Sequence, residues 1–289
     1  MRRSDYPHAE RFAQEVGIPA ENLIRAFEIE REYRNRILRE RDAAVRKNIY
    51  SEVCAKVHPL YRVARDSKAV IEEKRPIVNL FRRELTDMSI LDIGCGTGAF
   101  LLCVAERLKH KRLVGIDIDP DTLPHKDKSI TFIPMDIIEF RLGESFDVAF
   151  SDNVLEHIAP ADLPGHLTSI RRALNDGGRF IVIMPNRLFG PADVSRVIDC
   201  TCTNRISAAG MHLFESTYSE MIPLLRRFGF NNFETIIQIP KLTHRFTWLR
   251  ISPAIYLKIE ENRRLLNLMY KFCLKGKCRL KFMVVLICQ

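Results

Sequence analysis

Apolar residues follow two rhythms along this chain. Between 88 and 239, short apolar runs alternate with stretches in which apolar positions recur every three or four residues. That is the pattern of buried parallel strands joined by crossover helices. The runs predict strands over 89–93, 112–116, 130–134, 146–150, 179–184 and 233–239. The helical rhythm predicts a helix over 99–108. A second carries Leu163, Leu167, Ile170 and Leu174 and stops at Asn175-Asp176-Gly177-Gly178. A third covers 216–228, opened by a Ser-Thr cap and closed by Gly229.

The flanks read differently. Residues 1–85 are helical in pattern, and 20–45 is dense in Glu and Arg, with apolar Leu23, Ile24, Phe27, Ile37 and Leu38. There Glu28 and Glu32 repel, while Glu30–Arg34 and Glu32–Arg36 attract. This segment reads as a solvated helix with a thin apolar stripe. Ile49, Tyr50, Val53, Val57, Leu60 and Tyr61 give 47–63 a face that packs on something, and 76–85 is a short amphipathic helix leading to the first strand. Near the other end, 254–274 is a helix with Ile255, Ile259, Leu265, Leu266, Leu268 and Met269 apolar. The run 281–287 reads as a last strand or as a basic amphipathic membrane anchor. Its length fits a buried strand better.

A chain of 289 residues with 46% hydrophobic content holds one large domain, or one domain with appendages. No run approaches the roughly 20 apolar residues of a spanning helix, and no apolar segment follows Met1-Arg2-Arg3 as in a secretory signal. The eight cysteines read as reduced thiols of a cytoplasmic protein. Neither Cys200-x-Cys202 nor Cys273-x4-Cys278 has zinc-site spacing, so no metal is expected. The net charge of +9 divides into +5 over 1–85, −5 over 86–239 and +9 over 240–289. Such asymmetry points to an anionic partner, with a solvated basic face as the alternative.

The chemistry centres on Asp92-Ile93-Gly94-Cys95-Gly96-Thr97-Gly98, between the first strand and its helix. Glycines at alternate positions let the backbone approach a ligand closely, and this is where doubly wound sheets bind nucleotides. The spacing differs from G-x-G-x-x-G, and no Gly-Lys-Ser/Thr makes it a phosphate loop. About 20 residues on, Asp117 ends the second strand in Gly115-Ile116-Asp117-Ile118-Asp119, where an acid meets ribose hydroxyls. Asp119 is the weaker choice, with a helix N-cap before Pro120 as its alternative role. Met135-Asp136-Ile137 follows the third strand, Ser151-Asp152-Asn153-Val154-Leu155-Glu156-His157-Ile158 the fourth.

These four motifs in order, within 88–239, resemble class I S-adenosylmethionine-dependent methyltransferases. They are most similar to the small-molecule and glycan-cluster enzymes of the methyltransferase type 11 kind. The resemblance implies an α/β, Rossmann-like sheet of seven strands in the order 3-2-1-4-5-7-6, strand 7 antiparallel, with helices on both faces. It would occupy 86–289, with 240–280 as a basic helical insertion and 1–85 as an N-terminal helical extension or cap. S-adenosylmethionine is the implied cofactor, held by Asp92, Gly94, Cys95, Gly96, Gly98, Asp117, Ile118, Asp136, Ile137, Ser151 and Asn153. It has no phosphates and needs no anion cradle, while its ammonium suits a nearby carboxylate.

The loop 185–196 and the turn 210–216 lie where substrate loops belong. Asn186, Arg187 and Arg196 are substrate-side candidates, since Arg holds a phosphate or carboxylate bidentately. His212 and His157 are acid–base candidates. The alternatives are a capping network of His212 with Glu215, and a His157 that packs behind the site. The implied reaction is O-methylation of a small molecule or saccharide, in the cytoplasm or peripheral to an anionic membrane surface. RNA or protein methylation through the basic C-terminal segment is the alternative, though the Asn-Pro-Pro-Tyr of amino-methylating nucleic-acid enzymes is absent. A non-catalytic methyltransferase-fold partner is a third reading.

Overall fold

Strand side chains alternate between two faces, and the sheet here uses both. The computed structural model describes residues 3–62, 66–118, 127–238, 245–274 and 282–289. Six strands, β1 (Met88–Ile93), β2 (His110–Asp117), β3 (Ile130–Pro134), β4 (Phe146–Asp152), β5 (Leu174–Pro185) and β6 (Met283–Cys288), form one sheet in the order β3-β2-β1-β4-β5-β6. The first five are parallel and β6 runs antiparallel to β5. Ile90, Leu113, Val148 and Ile181 point to one face, which is covered by α4 (Ser67–Leu80), α5 (Arg82–Leu85) and α6 (Ala99–Arg107). Leu91, Val114, Ala149 and Val182 point to the other, covered by α7 (Leu163–Ala173) and α8 (Tyr218–Arg227). Burial on both faces explains why the strands read as unbroken apolar runs.

The terminal run is a buried strand, although Lys281 lies outside the described residues. The expected strand over 233–239 does not form as a ladder. Glu234 bridges Ile287 and Thr235 bridges Ile251, and Ile239 lies outside the described residues. Side chains occupy the β6 edge instead. Thr235 Oγ1 donates to the Val285 carbonyl at 2.6 Å, Gln238 Nε2 donates to that of Met283 at 2.8 Å, and Met283 N donates back to Gln238 Oε1 at 2.8 Å. With those backbone groups satisfied, a regular sixth strand has little left to pair with.

Helix boundaries also shift. The Glu/Arg-rich helix, α2 (Ala20–Arg39), ends before 45, and the next, α3 (Ala43–Tyr61), starts ahead of 47, because Asp42 caps it by accepting from Ala44 N at 2.8 Å. Far from being solvated, α2 buries Leu23, Ala26, Phe27, Glu30, Tyr33 and Ile37. It packs with α1 (Ala9–Val16) and α3 over the loops that follow β4 and β5. Helix α4 starts well before Pro76, and the expected helix over 254–274 breaks at Asn262 into α9 (Ala254–Glu261) and α10 (Arg263–Leu274). The Asn262 side chain caps α10 by accepting from Arg264 N at 3.0 Å. Thr217 caps α8 in a capping box with Glu220, as the Ser-Thr signal predicts.

Arg250 anchors the C-terminal segment to the sheet's helical face. Its Nε donates to Glu84 Oε1 at 2.9 Å, and both side chains are only 2% exposed. Removing one partner strands a buried charge, which costs about 3–5 kcal/mol, whereas replacing both with apolar groups costs far less. Arg250→Met is therefore expected to lower unfolding stability by about that amount, and adding Glu84→Leu to restore most of it. Urea unfolding of the three chains measures this.

Candidate active site

The strand order reverses between β1 and β4, and crevices open at the carboxyl ends of strands at such points. The turn after β1 fills this place. Gly94, Gly96 and Gly98 have φ of 70°, 48° and 75°, a region costly for side-chain-bearing residues. A Cβ on Gly94 would lie 2.6 Å from Val154, and one on Gly98 2.5 Å from the Phe132 ring. A Cβ on Gly96 would meet nothing within 4 Å, so that stretch of backbone faces open space. Asp117, at the end of β2, accepts from Gly96 N at 2.9 Å. Asp92 is buried, and desolvation holds its carboxyl well above the usual range; Lys74 pulls it back down while Asp152 and Asp117 add to the rise. Lys74, from α4, donates to Asp152 Oδ2 at 2.9 Å.

Helix α3 supplies the other cation. Lys47 Nζ lies 2.8 Å from Asp136 Oδ2, while Asp136 Oδ1 accepts from Ile138 N at 2.9 Å. Arg46 pairs with buried Asp162 (Nε to Oδ2 3.0 Å), and the Tyr50 hydroxyl accepts from Ala159 N at 2.8 Å. Ile118 is exposed beside Asp117, and Ile137 packs on the core under α7. Cys95 is buried, and burial pushes its thiol up. Ser151 Oγ is buried without a hydrogen-bond partner. Asn153 sits in the left-handed region with φ 58° and donates to Asp152 Oδ1 at 2.8 Å; Asn is among the few residues that tolerate it.

A cavity of about 870 Å³ opens beyond Asn153. Glu156, His157, His212, Asn186, Arg196 and Phe189 are in its wall, with Arg11 and Glu15 from α1 and Ile77 from α4. His157 and His212 also line a second cavity of about 220 Å³, shared with Glu30 and Tyr61. The two imidazoles meet edge to face, 4.8 Å between ring centres. His157 Nδ1 donates to the Met211 carbonyl at 3.2 Å, and His212 Nδ1 donates to Glu215 Oε1 at 2.7 Å. Enclosure by the cavity walls lowers the His157 pKa, helped by His212. For His212 desolvation is outweighed by Glu215 and Glu156, and its pKa rises. Glu156 is fully buried, and neither carboxylate oxygen has a partner. Desolvation raises its pKa to about 7, against the pull of His212.

The family described as "Methyltransferase domain" matches residues 90–178, from β1 to the start of β5. Residues 90–178 are thus a methyltransferase domain. Over 109 residues it is 32% identical to demethylmenaquinone methyltransferase of Symbiobacterium thermophilum, covering 35% of this chain and 43% of that one. It is 29% identical over 129 residues to trans-aconitate 2-methyltransferase of Afipia carboxidovorans, covering 42% and 48%. The chain thus spans less than half the length of either relative. The structure of Haemonchus contortus phosphoethanolamine N-methyltransferase 2 with S-adenosyl-L-methionine is 18% identical over 74% of this chain and 51% of that one, at a TM-score of 0.47.

Within this methyltransferase domain the turn glycines, Asp92, Asp117, Ser151 and Asn153 gather at the carboxyl ends of β1, β2 and β4. Asp136 stands at the same end after β3, engaged by Lys47. His157, His212, Asn186 and Arg196 share the large cavity, with Arg196 paired to Glu15 (Nη1 to Oε1 3.2 Å). Arg187 is the exception. It is not in the cavity wall, and it pairs with Glu220 of α8 at the surface. Asp119 lies outside the described residues. Glu156, Lys74 and Lys47 are the residues that sequence reasoning passed over as functional. Glu156 had a signal, its place beside His157 in a known motif; the lysines had none.

Glu156 makes a sign-definite prediction. An acid whose folded pKa is raised above its unfolded value binds its proton more tightly when folded, so stability falls as pH rises from about 4.5 to about 7. Glu156→Gln removes this. In chelator-containing buffer the variant is expected to melt above wild type at pH 8, by up to roughly 3 kcal/mol in stability, with the gap closing near pH 5. Thermal unfolding at the two pH values measures it.

Proposed function

We propose that this protein is an S-adenosylmethionine-dependent O-methyltransferase of a small hydroxyl-bearing acceptor, of saccharide type or size. The observation that supports this most is the position of the large cavity. It shares Asp152 and Asn153 with the end of β4 and holds two imidazoles, two arginines and two glutamates among apolar residues such as Ile183, Phe189 and Met283. Sites for small molecules have this character.

In this reading the turn residues Gly94, Cys95, Gly96 and Gly98 give a bare backbone surface, and Asp92, Asp117 and Asp152 make its surroundings anionic. That suits a cofactor with an ammonium and a sulfonium and no phosphate. Asp117, with Ile118 beside it, takes the ribose hydroxyls; Asp136 and Ile137 take the adenine; Ser151 and Asn153 face the methionine end. When bound, the cofactor supplies an activated methyl carbon, so the protein's task is to align the acceptor and exclude water. Residues 1–85 serve as a cap, consistent with Arg11, Glu15 and Ile77 in the cavity wall. Arg196 and Arg11 orient an anionic or polar acceptor. His212, held through Nδ1 by Glu215, receives the acceptor proton.

Calorimetric titration with S-adenosylhomocysteine tests the reading. Wild type is expected to bind, and Asp117→Ala to bind about 10- to 100-fold more weakly, the worth of a charged hydrogen-bonding partner. A folded wild type that does not bind overturns the reading.

A location at an anionic membrane surface, on its cytoplasmic side, is a second proposal. In α9 and α10, Ile255, Leu265 and Leu268 are exposed beside Arg263 and Arg264. No helix among the described residues is long and apolar enough to cross a membrane. The chain is expected to co-sediment with anionic phospholipid vesicles at low salt and to be released as salt rises, while vesicles of neutral lipid leave it in the supernatant.

A further inference from the structure

Glu156 poses a problem that proton transfer alone leaves open. Its carboxylate is wholly buried, and neither oxygen is hydrogen-bonded. A buried ionised carboxylate is costly unless it is paired or binds a cation. Two imidazoles stand beside it, and one ligand atom each from Glu156, His157 and His212 lies within 4.8 Å of the others. Donors about 2.1 Å from one ion sit roughly 3–3.5 Å apart, so a shift of about 1 Å closes the three onto an ion.

The imidazoles are held as ligands are held. A histidine that binds a metal through one nitrogen donates its other N–H to a carboxylate or a backbone carbonyl. Both partners are here. Glu215 accepts from His212 Nδ1 and the Met211 carbonyl accepts from His157 Nδ1. These bonds put the proton on Nδ1 and leave Nε2 with its lone pair. Glu215 is itself fixed, since it accepts from Ala192 N at 2.9 Å. Met211 is fixed too, its N–H donating to Glu30 Oε2 at 2.8 Å. The three side chains also line the large cavity, so the remaining coordination positions have a source of water or acceptor.

We propose that Glu156, His157 and His212 bind one divalent first-row transition ion. Two imidazoles and one carboxylate with open positions are a ligand set for manganese, iron or zinc. The inference deepens the proposed methyl transfer, and rests on it for the acceptor but not for the ion. With the ion in place His212 is a ligand, its Nε2 is occupied, and the role of proton acceptor given to it above belongs to the ion-free site alone. The acceptor hydroxyl coordinates the ion, which lowers its pKa, and its proton leaves to cavity water. The oxygen then forms its bond to the methyl carbon as the carbon–sulfur bond breaks, the electron pair staying on sulfur.

The test uses the full chain, stripped with chelator and titrated with Mn²⁺, free ion being read by its paramagnetic resonance signal; Zn²⁺ is titrated by calorimetry. One ion per chain is expected. Glu156→Gln and His212→Ala should each weaken binding at least about tenfold. Glu215→Gln removes no ligand and should weaken it about 10- to 100-fold by loosening His212. Melting with and without Mn²⁺ guards against misfolding: a raised melting temperature is expected for wild type and little change for Glu156→Gln. Absence of saturable binding of both ions to folded wild type overturns the proposal. So does binding left unchanged by Glu156→Gln and His212→Ala, which puts the ion elsewhere. S-adenosylhomocysteine binding on the same samples separates the two readings. Cofactor binding without the ion sinks only the metal site, and ion binding without the cofactor upholds the site and sinks the methyl-transfer reading.

Discussion

Desolvated carboxylates at the carboxyl end of the sheet are the constraint on which this structure turns. Asp92, Asp152, Asp162 and Glu156 are buried or nearly so, and Asp117 and Asp136 stand beside them. Charges of one sign in a low-dielectric setting need counter-charges. The N-terminal helices provide them: Lys74 of α4 for Asp152, and Lys47 and Arg46 of α3 for Asp136 and Asp162. The charge division between 1–85 and 86–239 therefore has an internal meaning. Part of what looks in sequence like an appetite for an external anion is spent on docking one segment of the chain against another. The described basic residues of 240–289 are used in this way to a smaller degree. Among its described residues Arg250 is paired within the sheet's helical face, while Arg263 and Arg264 are exposed at the surface.

What sequence could show and what it could not follow from the range of the forces involved. The five parallel strands were legible because burial on both faces writes continuous apolar runs, and the switch point was legible because glycine spacing and acid positions are local. The edge of the sheet was not. Phe233 to Gln238 has strand composition, but the edge of β6 is claimed by the side chains of Thr235, Gln238 and Tyr218, whose hydroxyl accepts from Val285 N at 3.1 Å. That outcome depends on partners about 50 residues away. The boundary between the helices expected over 20–45 and 47–63 was readable in principle, since Asp42 is a good cap. The Glu/Arg density hid it, because Glu40, Arg41 and Asp42 continue the charged pattern past Arg39.

The candidate site shows the same divide. Asp92, the glycines and Asp117 are set out by fixed spacing along β1, its turn, α6 and the end of β2. The arginines are not, because a loop's sequence does not say which way it turns. Arg196 reaches the cavity because the turn at Val194–Val197 packs Val194 and Val197 on α1 and α2, and Phe12 lies 4.5 Å beneath its guanidinium. Arg187 sits in the preceding turn, Arg187–Phe189, whose backbone joins Ser216, and that carries it to Glu220. Nine residues separate two arginines that chemistry alone treats as equivalent.

The large cavity is consequently a composite. Its floor, Asn153 to His157, comes from the switch point of the sheet, while its walls come from α1, α4 and the loop after β5. The floor is held by strain and burial: Asn153 in the left-handed region and Glu156 without a partner. Such features persist only where the surroundings fix them. Here Phe214 N donates to the Glu156 carbonyl at 2.9 Å, and His157 is tied to Met211, so the turn that carries His212 is bound to the floor by its backbone. That turn is bound in addition to α2 through Glu30 and through Arg34, which donates to the Gly210 carbonyl at 3.2 Å. A displacement of α2 therefore moves His212 relative to Glu156. The helices outside the sheet set the geometry of the Glu156, His157 and His212 cluster as directly as the sheet does, and under the proposed function a relative that keeps the sheet but lacks them has no reason to share the acceptor.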